Sequence, residues 1–61
     1  MTRKDYVVIA KEINKMVQGL EQPFAEHHLP VIRELVNNLS DRFKEDNGAF
    51  DRRRFWNACG L

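Results

Sequence analysis

Tyr6, Ile9, Ala10, Ile13, Met16, Val17 and Leu20 recur at spacings of three and four. That period places them on one stripe of an amphipathic helix. Lys4, Lys11 and Lys15 fall on the opposite face. The stripe constrains everything after it, because a chain of 61 residues must supply a second element able to cover it. Thr2 followed three residues later by Asp5 resembles a capping box, with Asp in the place of the usual Glu or Gln. Gly19 lies near the expected end. Gln22-Pro23 is the expected stop, since the residue before proline avoids the α region.

A second stripe comprises Ile32, Leu35, Val36, Leu39 and Phe43. Pro30 precedes it. Proline is favoured in the first turn of a helix, where its missing N–H costs nothing, so the second helix is expected to start near His28 or Leu29. Residues 23–27 then form a separate short turn. Asp46-Asn47-Gly48 ends the helix with strong turn chemistry. Asp51 is a suitable N-cap for a third helix, and Phe50 and Phe55 have the spacing of a hydrophobic staple across it. Gly60 is a natural C-cap. The expected fold is all-α: a single small three-helix domain over residues 1–61. A hairpin of helices at about 3–20 and 29–46 is capped by a short C-terminal helix at about 52–59. Phe50, Phe55 and Trp56 fold back over its open end.

Size and charge narrow the function classes. The chain is 43% hydrophobic and 31% charged, too apolar for a disordered tail. The core of a domain this small supplies only about 3–5 kcal/mol, which argues against a self-contained enzyme with a deep, water-excluding pocket. Ten Lys and Arg stand against nine Asp and Glu, a net charge of +1, whereas a dedicated nucleic-acid binder is usually clearly basic. Positive charge is concentrated at the C-terminus, where Arg52, Arg53 and Arg54 face Asp51 alone. Cys59 is the only cysteine, so no internal disulfide forms and a reducing cytosol is the expected compartment. The apolar run Val7-Val8-Ile9-Ala10 is far short of the roughly 20 residues a membrane span needs. Arg3 and Lys4 have no apolar segment behind them of the kind a signal peptide requires.

The two ends of the chain carry a resemblance. Met1-Thr2-Arg3-Lys4-Asp5-Tyr6 followed by Ile9-Ala10, and Phe50-Asp51-Arg52-Arg53-Arg54-Phe55 followed by Ala58-Cys59-Gly60, are similar to the opening and closing motifs of one family. Its members are very short proteins of bacteriophages, plasmids and bacterial mobile elements. The chain departs from the family at Asn47-Gly48-Ala49, where members often carry Asn-Pro and one more residue. The resemblance implies a mobile-element origin and an intracellular accessory role, and it transfers no catalytic residue.

Each candidate residue has an ordinary structural role beside a functional one. Arg52, Arg53 and Arg54 can clamp phosphates or a partner's carboxylates, yet consecutive helical residues point about 100° apart and cannot share one face. Otherwise they pair with Asp5, Asp51 or nearby acids, or are solvated. Arg3 and Lys4 extend the basic patch if the two termini meet. Tyr6 and Trp56 can stack on bases or serve as core. Phe24, Phe43, Phe50 and Phe55 read as core. His27, His28 and Cys59 lack the spacing of a structural zinc site, and no metal or cofactor is expected. Cys59 reads as a buried small hydrophobe. Val7 and Val8 flank the first stripe on opposite sides, about 130° from its centre, which widens the apolar arc of helix one.

The leading expectation is a non-enzymatic module that binds a protein, for example as an inhibitor of a host defence or transcription enzyme. Arg3, Lys4, Arg52, Arg53, Arg54 and Trp56 are its candidate contacts. A homodimer is an open alternative. A small nucleic-acid-binding regulator using Arg52 to Arg54 is the second reading. An enzymatic role is expected only for a subunit completing another protein's site.

Overall fold

The computed structural model describes residues 2–20 and 25–61. Within them the regular structure is helical: α1 Arg3–Gln18, α2 Ala25–Asp46 and α3 Arg52–Ala58. Phe24 and the Gln22-Pro23 stop lie outside the described residues.

α1 starts where the chain supplies its own cap. The Thr2 backbone N–H donates to Asp5 Oδ2 at 2.8 Å, and the Thr2 hydroxyl donates to the same oxygen at 3.2 Å. These contacts anchor the extended Thr2 to the first turn. The helix closes at Gly19, whose N–H donates to the Lys15 carbonyl at 3.1 Å.

α2 corrects two expectations. Ala25, Glu26 and His27 are helical rather than part of a separate turn, whose residues 23 and 24 lie outside the described residues, and Pro30 sits inside the helix rather than in its first turn. Proline there removes the N–H that would reach the Glu26 carbonyl. In this part of the helix Ala25 is buried and Leu29 half-buried, while Pro30 itself stays exposed. The other end of α2 matches the turn chemistry. Phe50 N–H donates to the Asn47 carbonyl at 2.9 Å, and Ala49 N–H donates to Asn47 Oδ1 at 3.0 Å, an Asx turn. The Lys44 ammonium ties the loop down by donating to the Gly48 carbonyl at 2.6 Å.

α3 is capped at both ends. Asp51 Oδ1 accepts the Arg54 N–H at 3.1 Å, and the Phe50 and Phe55 rings meet across the cap at 5.5 Å. At the C-terminus Gly60 N–H donates to the Asn57 carbonyl and Leu61 N–H to the Trp56 carbonyl, which is a complete Schellman motif. Gly60 adopts φ 81°, as that motif requires.

Tyr6, in the second turn of α1, meets Phe43, in the last turns of α2, with ring centroids 4.9 Å apart. The two long helices therefore run antiparallel, and α3 packs on both. The core joins Tyr6, Ala10, Ile32, Val36, Phe43, Phe50, Phe55 and Cys59, with Trp56 and Leu61 partly buried against it. Ser40 is the buried polar residue, and its hydroxyl is satisfied by donating to the Val36 carbonyl at 2.7 Å.

Met16 and Leu35, assigned to the two stripes by spacing, are 60% and 52% exposed. The stripe is wider than the contact. α3 is seven residues long and covers one side of the helix pair, so Leu35, beside the fully buried Val36, and Met16 face outward.

Candidate interaction site

Arg52, Arg53 and Arg54 diverge as consecutive helical residues must. Arg52 is drawn onto α2, where its guanidinium donates to Asp41 and, at 3.0 Å, to Asn37 Oδ1. Its partner is therefore Asp41 rather than the expected Asp5 or Asp51. The Asp5 carboxylate is engaged with Thr2 and that of Asp51 with the Arg54 N–H. Arg52 thus fastens α3 to α2. Arg53 and Arg54 are exposed, and among the described residues neither has an ion pair.

Arg54 meets residues from the other end of the chain. A cleft of about 400 Å³ lies between the start of α1, the α2–α3 turn and α3. Arg3, Val7, Asn47, Asp51, Arg54 and Ala58 form its rim, over a floor made by Tyr6, Ala10, Phe50 and Phe55. The termini do meet, through Arg3. Lys4, one position further round the helix, is exposed and does not line the cleft, and neither does Trp56. Val7 is half-exposed at the rim, while Val8 faces a shallower surface among Lys11, Glu12 and Lys15.

The charge balance of the cleft favours anions. Asp51 Oδ1 and Asn47 Oδ1 each already accept a backbone N–H, whereas the guanidiniums of Arg3 and Arg54 hold no ion pair among the described residues. The rings beneath are not available for stacking on a base. Tyr6, Phe50 and Phe55 are each at most 9% exposed, and Tyr6 packs on Phe50 at 4.8 Å between centroids.

Sequence reasoning did not find Asn47, Val7 and Ala58 as rim residues. The signal existed in the Asx-turn residue and in the flanking position of Val7, but using it required knowing which face α3 covers. Asp41 was missed as the partner of Arg52 because the pairing depends on the chain reversal at Asn47.

Other candidates separate in space. His27 and His28 are exposed in the first turn of α2, while Cys59 is fully buried after α3. Among the described residues no group of three or more His, Cys, Asp or Glu is placed to hold a metal ion. Burial pushes the Cys59 thiol above its ordinary value, which keeps it protonated and unreactive at neutral pH. Among the described residues no helix is long and apolar enough to cross a membrane. Comparison with protein-family models, curated proteins and solved structures finds no match to this chain.

Proposed function

We propose that the chain is a non-enzymatic accessory module, of phage or mobile-element type, that acts inside a bacterial cell by binding another protein. An inhibitor or modulator of a host enzyme or defence system is one form this takes. The observation that carries the reading is the convergence of Arg3 and Arg54, from opposite ends of the sequence, on one cleft with an apolar floor. Arginine is among the residues that dominate interface hot spots. The resemblance of the two terminal motifs supports it, because most of the cleft's lining, though not Val7, Asn47 or Ala49, comes from those motifs.

The nucleic-acid reading draws on the exposed Arg3, Lys4, Arg53 and Arg54. It loses the stacking platforms that single-strand binders use, since the rings under the cleft are consumed by one another. Phosphate contacts alone would weaken steeply with salt.

A tagged pull-down from a bacterial host, with and without nuclease, tests the proposal. A stoichiometric protein partner that survives nuclease is expected. Partners that vanish with nuclease, or a chain that captures no protein and stays monomeric, would overturn it.

A further inference from the structure

Building on that reading, we infer that the cleft between α1 and α3 receives an acidic, aliphatic peptide segment of the partner. A carboxylate sits against Arg3 and Arg54, and the neighbouring aliphatic side chain lies over Val7, Ala58 and the floor.

Three features of the cleft select this chemistry. Two guanidiniums, Arg3 and Arg54, stand against the single carboxylate of Asp51 at its rim, and among the described residues neither is in an ion pair, so an incoming group with anionic acceptors is favoured. Its volume of about 400 Å³ suits a few side chains rather than a folded surface. Its rim offers Val7, half-exposed, and the small Ala58, while the aromatic edges below are packed edge-on or tilted against one another. An aliphatic group fits such a floor, whereas a base would need an open ring face. Arg52 takes no part, because Asp41 and Asn37 hold it on the far side of α3.

The test uses the full chain, labelled with ¹⁵N, and a blocked peptide alternating glutamate and leucine as probe. Saturable amide shifts are expected at Arg3, Val7, Arg54 and Ala58. A matched glutamine–leucine peptide and a glutamate–serine peptide should each bind at least tenfold more weakly. Arg3→Ala and Arg54→Ala should each weaken binding of the glutamate–leucine peptide about tenfold, and the double variant more. Arg33→Ala, which removes the same charge from an exposed site on α2, should leave it unchanged. The amide spectra of the variants report directly whether each one is folded.

Equal affinity for the glutamine peptide, shifts confined to another surface, or an Arg33→Ala effect as large as that of Arg54→Ala would overturn the inference. Tighter, salt-sensitive binding of an oligothymidine probe at the same amides would reassign the cleft to phosphate. A pull-down partner retained by the double variant would leave the accessory-module reading standing while removing the cleft from it.

Discussion

Where α1 begins and α2 finishes, four rings lock together: Tyr6, Phe43, Phe50 and Phe55 meet with centroids 4.8–5.5 Å apart, under a short helix capped at both ends. Away from these rings, on the outward faces of the same two helices, Met16, Val31 and Leu35 are more than half exposed, although Ile32 and Val36 beside them are buried. Met16 and Leu35 match the period of the buried stripes, so period alone is not the cause of the difference. The difference lies with the fifteen residues after α2. They return over one side of the helix pair, through the Asn47 turn, and bring Phe50, Phe55 and Cys59 with them. Aromatic pairs of this geometry add about 0.5–1.5 kcal/mol beyond the area they bury. The covered end therefore holds most of the stability, and it is also where the cleft lies.

The sharpest way to break this comparison is to empty one ring position at the covered end. Phe43→Ala should cost about 3–5 kcal/mol, as large-to-small changes of a buried aromatic do. A core of this size supplies only about 3–5 kcal/mol in total, so the variant should be largely unfolded at 25 °C. Leu35→Ala, on the outward face of α2, should shift stability by about 0.5 kcal/mol or less. Urea titration followed by circular dichroism gives both values. Cys59 provides a second readout: its fully buried thiol should resist a thiol reagent in the wild type and react at once in Phe43→Ala. A Leu35→Ala variant as damaged as Phe43→Ala would mean that the exposed flank is covered in solution, and a stability that falls on dilution would identify a second copy as the cover.

Two glycines extend the contrast to the backbone. Gly60 has φ 81°, and a Cβ there would lie 3.2 Å from Asn14 Nδ2, in the side chain that donates to the Ala58 carbonyl. Gly60→Ala should cost roughly 1–2 kcal/mol, from the left-handed backbone and the displaced Asn14. Gly19, at the end of α1, has φ −80°, and among the described residues its Cβ would meet the Lys15 and Met16 carbonyls at 3.4 and 3.6 Å. Gly19→Ala should be neutral or stabilise by up to about 1 kcal/mol, because it restricts the unfolded chain at no cost to the folded one. Thermal melts of the two variants, moving in opposite directions, would confirm that the α3 end is the constrained one.

Between these and the surface charges stands Arg52. Its pairing with Asp41 and Asn37 is the ionic link between α3 and α2, on a side chain 38% exposed. Arg52→Ala should cost about 0.2–1 kcal/mol. The loss should shrink in 1 M salt, where the Debye length is only about 3 Å.

What could be read from the sequence follows the range of each interaction. The Thr2–Asp5 box, the Asn47 turn, the Asp51 cap, the Phe50–Phe55 staple and the Gly60 terminus are all contacts within six residues, and each was legible from residue type and spacing. Burial of the Phe43, Phe50 and Phe55 rings followed from there being one place for them to go. The misreadings are long-range or competitive. Pro30 was given its preferred first-turn position, but the helix starts at Ala25, five residues before it. Met16 and Leu35 match the period of their stripes, but period alone does not say how wide a face its neighbours cover. For the candidate site, the meeting of Arg3 with Arg54 was legible as a conditional and the choice among the three arginines was not. That choice depends on the angle at which the Asn47 turn delivers α3, which sets Arg52 against Asp41 and leaves Arg54 at the rim.

The smallest effect belongs to the start of α1, at the rim of the covered end. Hydrogen bonds from the Thr2 backbone N–H and then from its hydroxyl hold the Asp5 carboxyl below the usual carboxylate value. A group whose pKa is lowered on folding adds stability above its unfolded value, near 3.9, and gives it up as pH falls through the lower folded value. Asp5→Asn removes that component. The variant should be slightly less stable than the wild type at pH 7, with the gap narrowing below about pH 4 and closing once Asp5 is protonated in both states. Urea midpoints measured from pH 7 to pH 2 test this, and because the other carboxylates titrate in both proteins, the difference isolates Asp5. A gap that persists unchanged at pH 2 would mean that Asp5 acts at the helix start through its shape rather than its charge. The loss at Asp5 should also leave the reactivity of Cys59 near that of the wild type, since Thr2 and Asp5 are exposed and the four rings beneath do not depend on them.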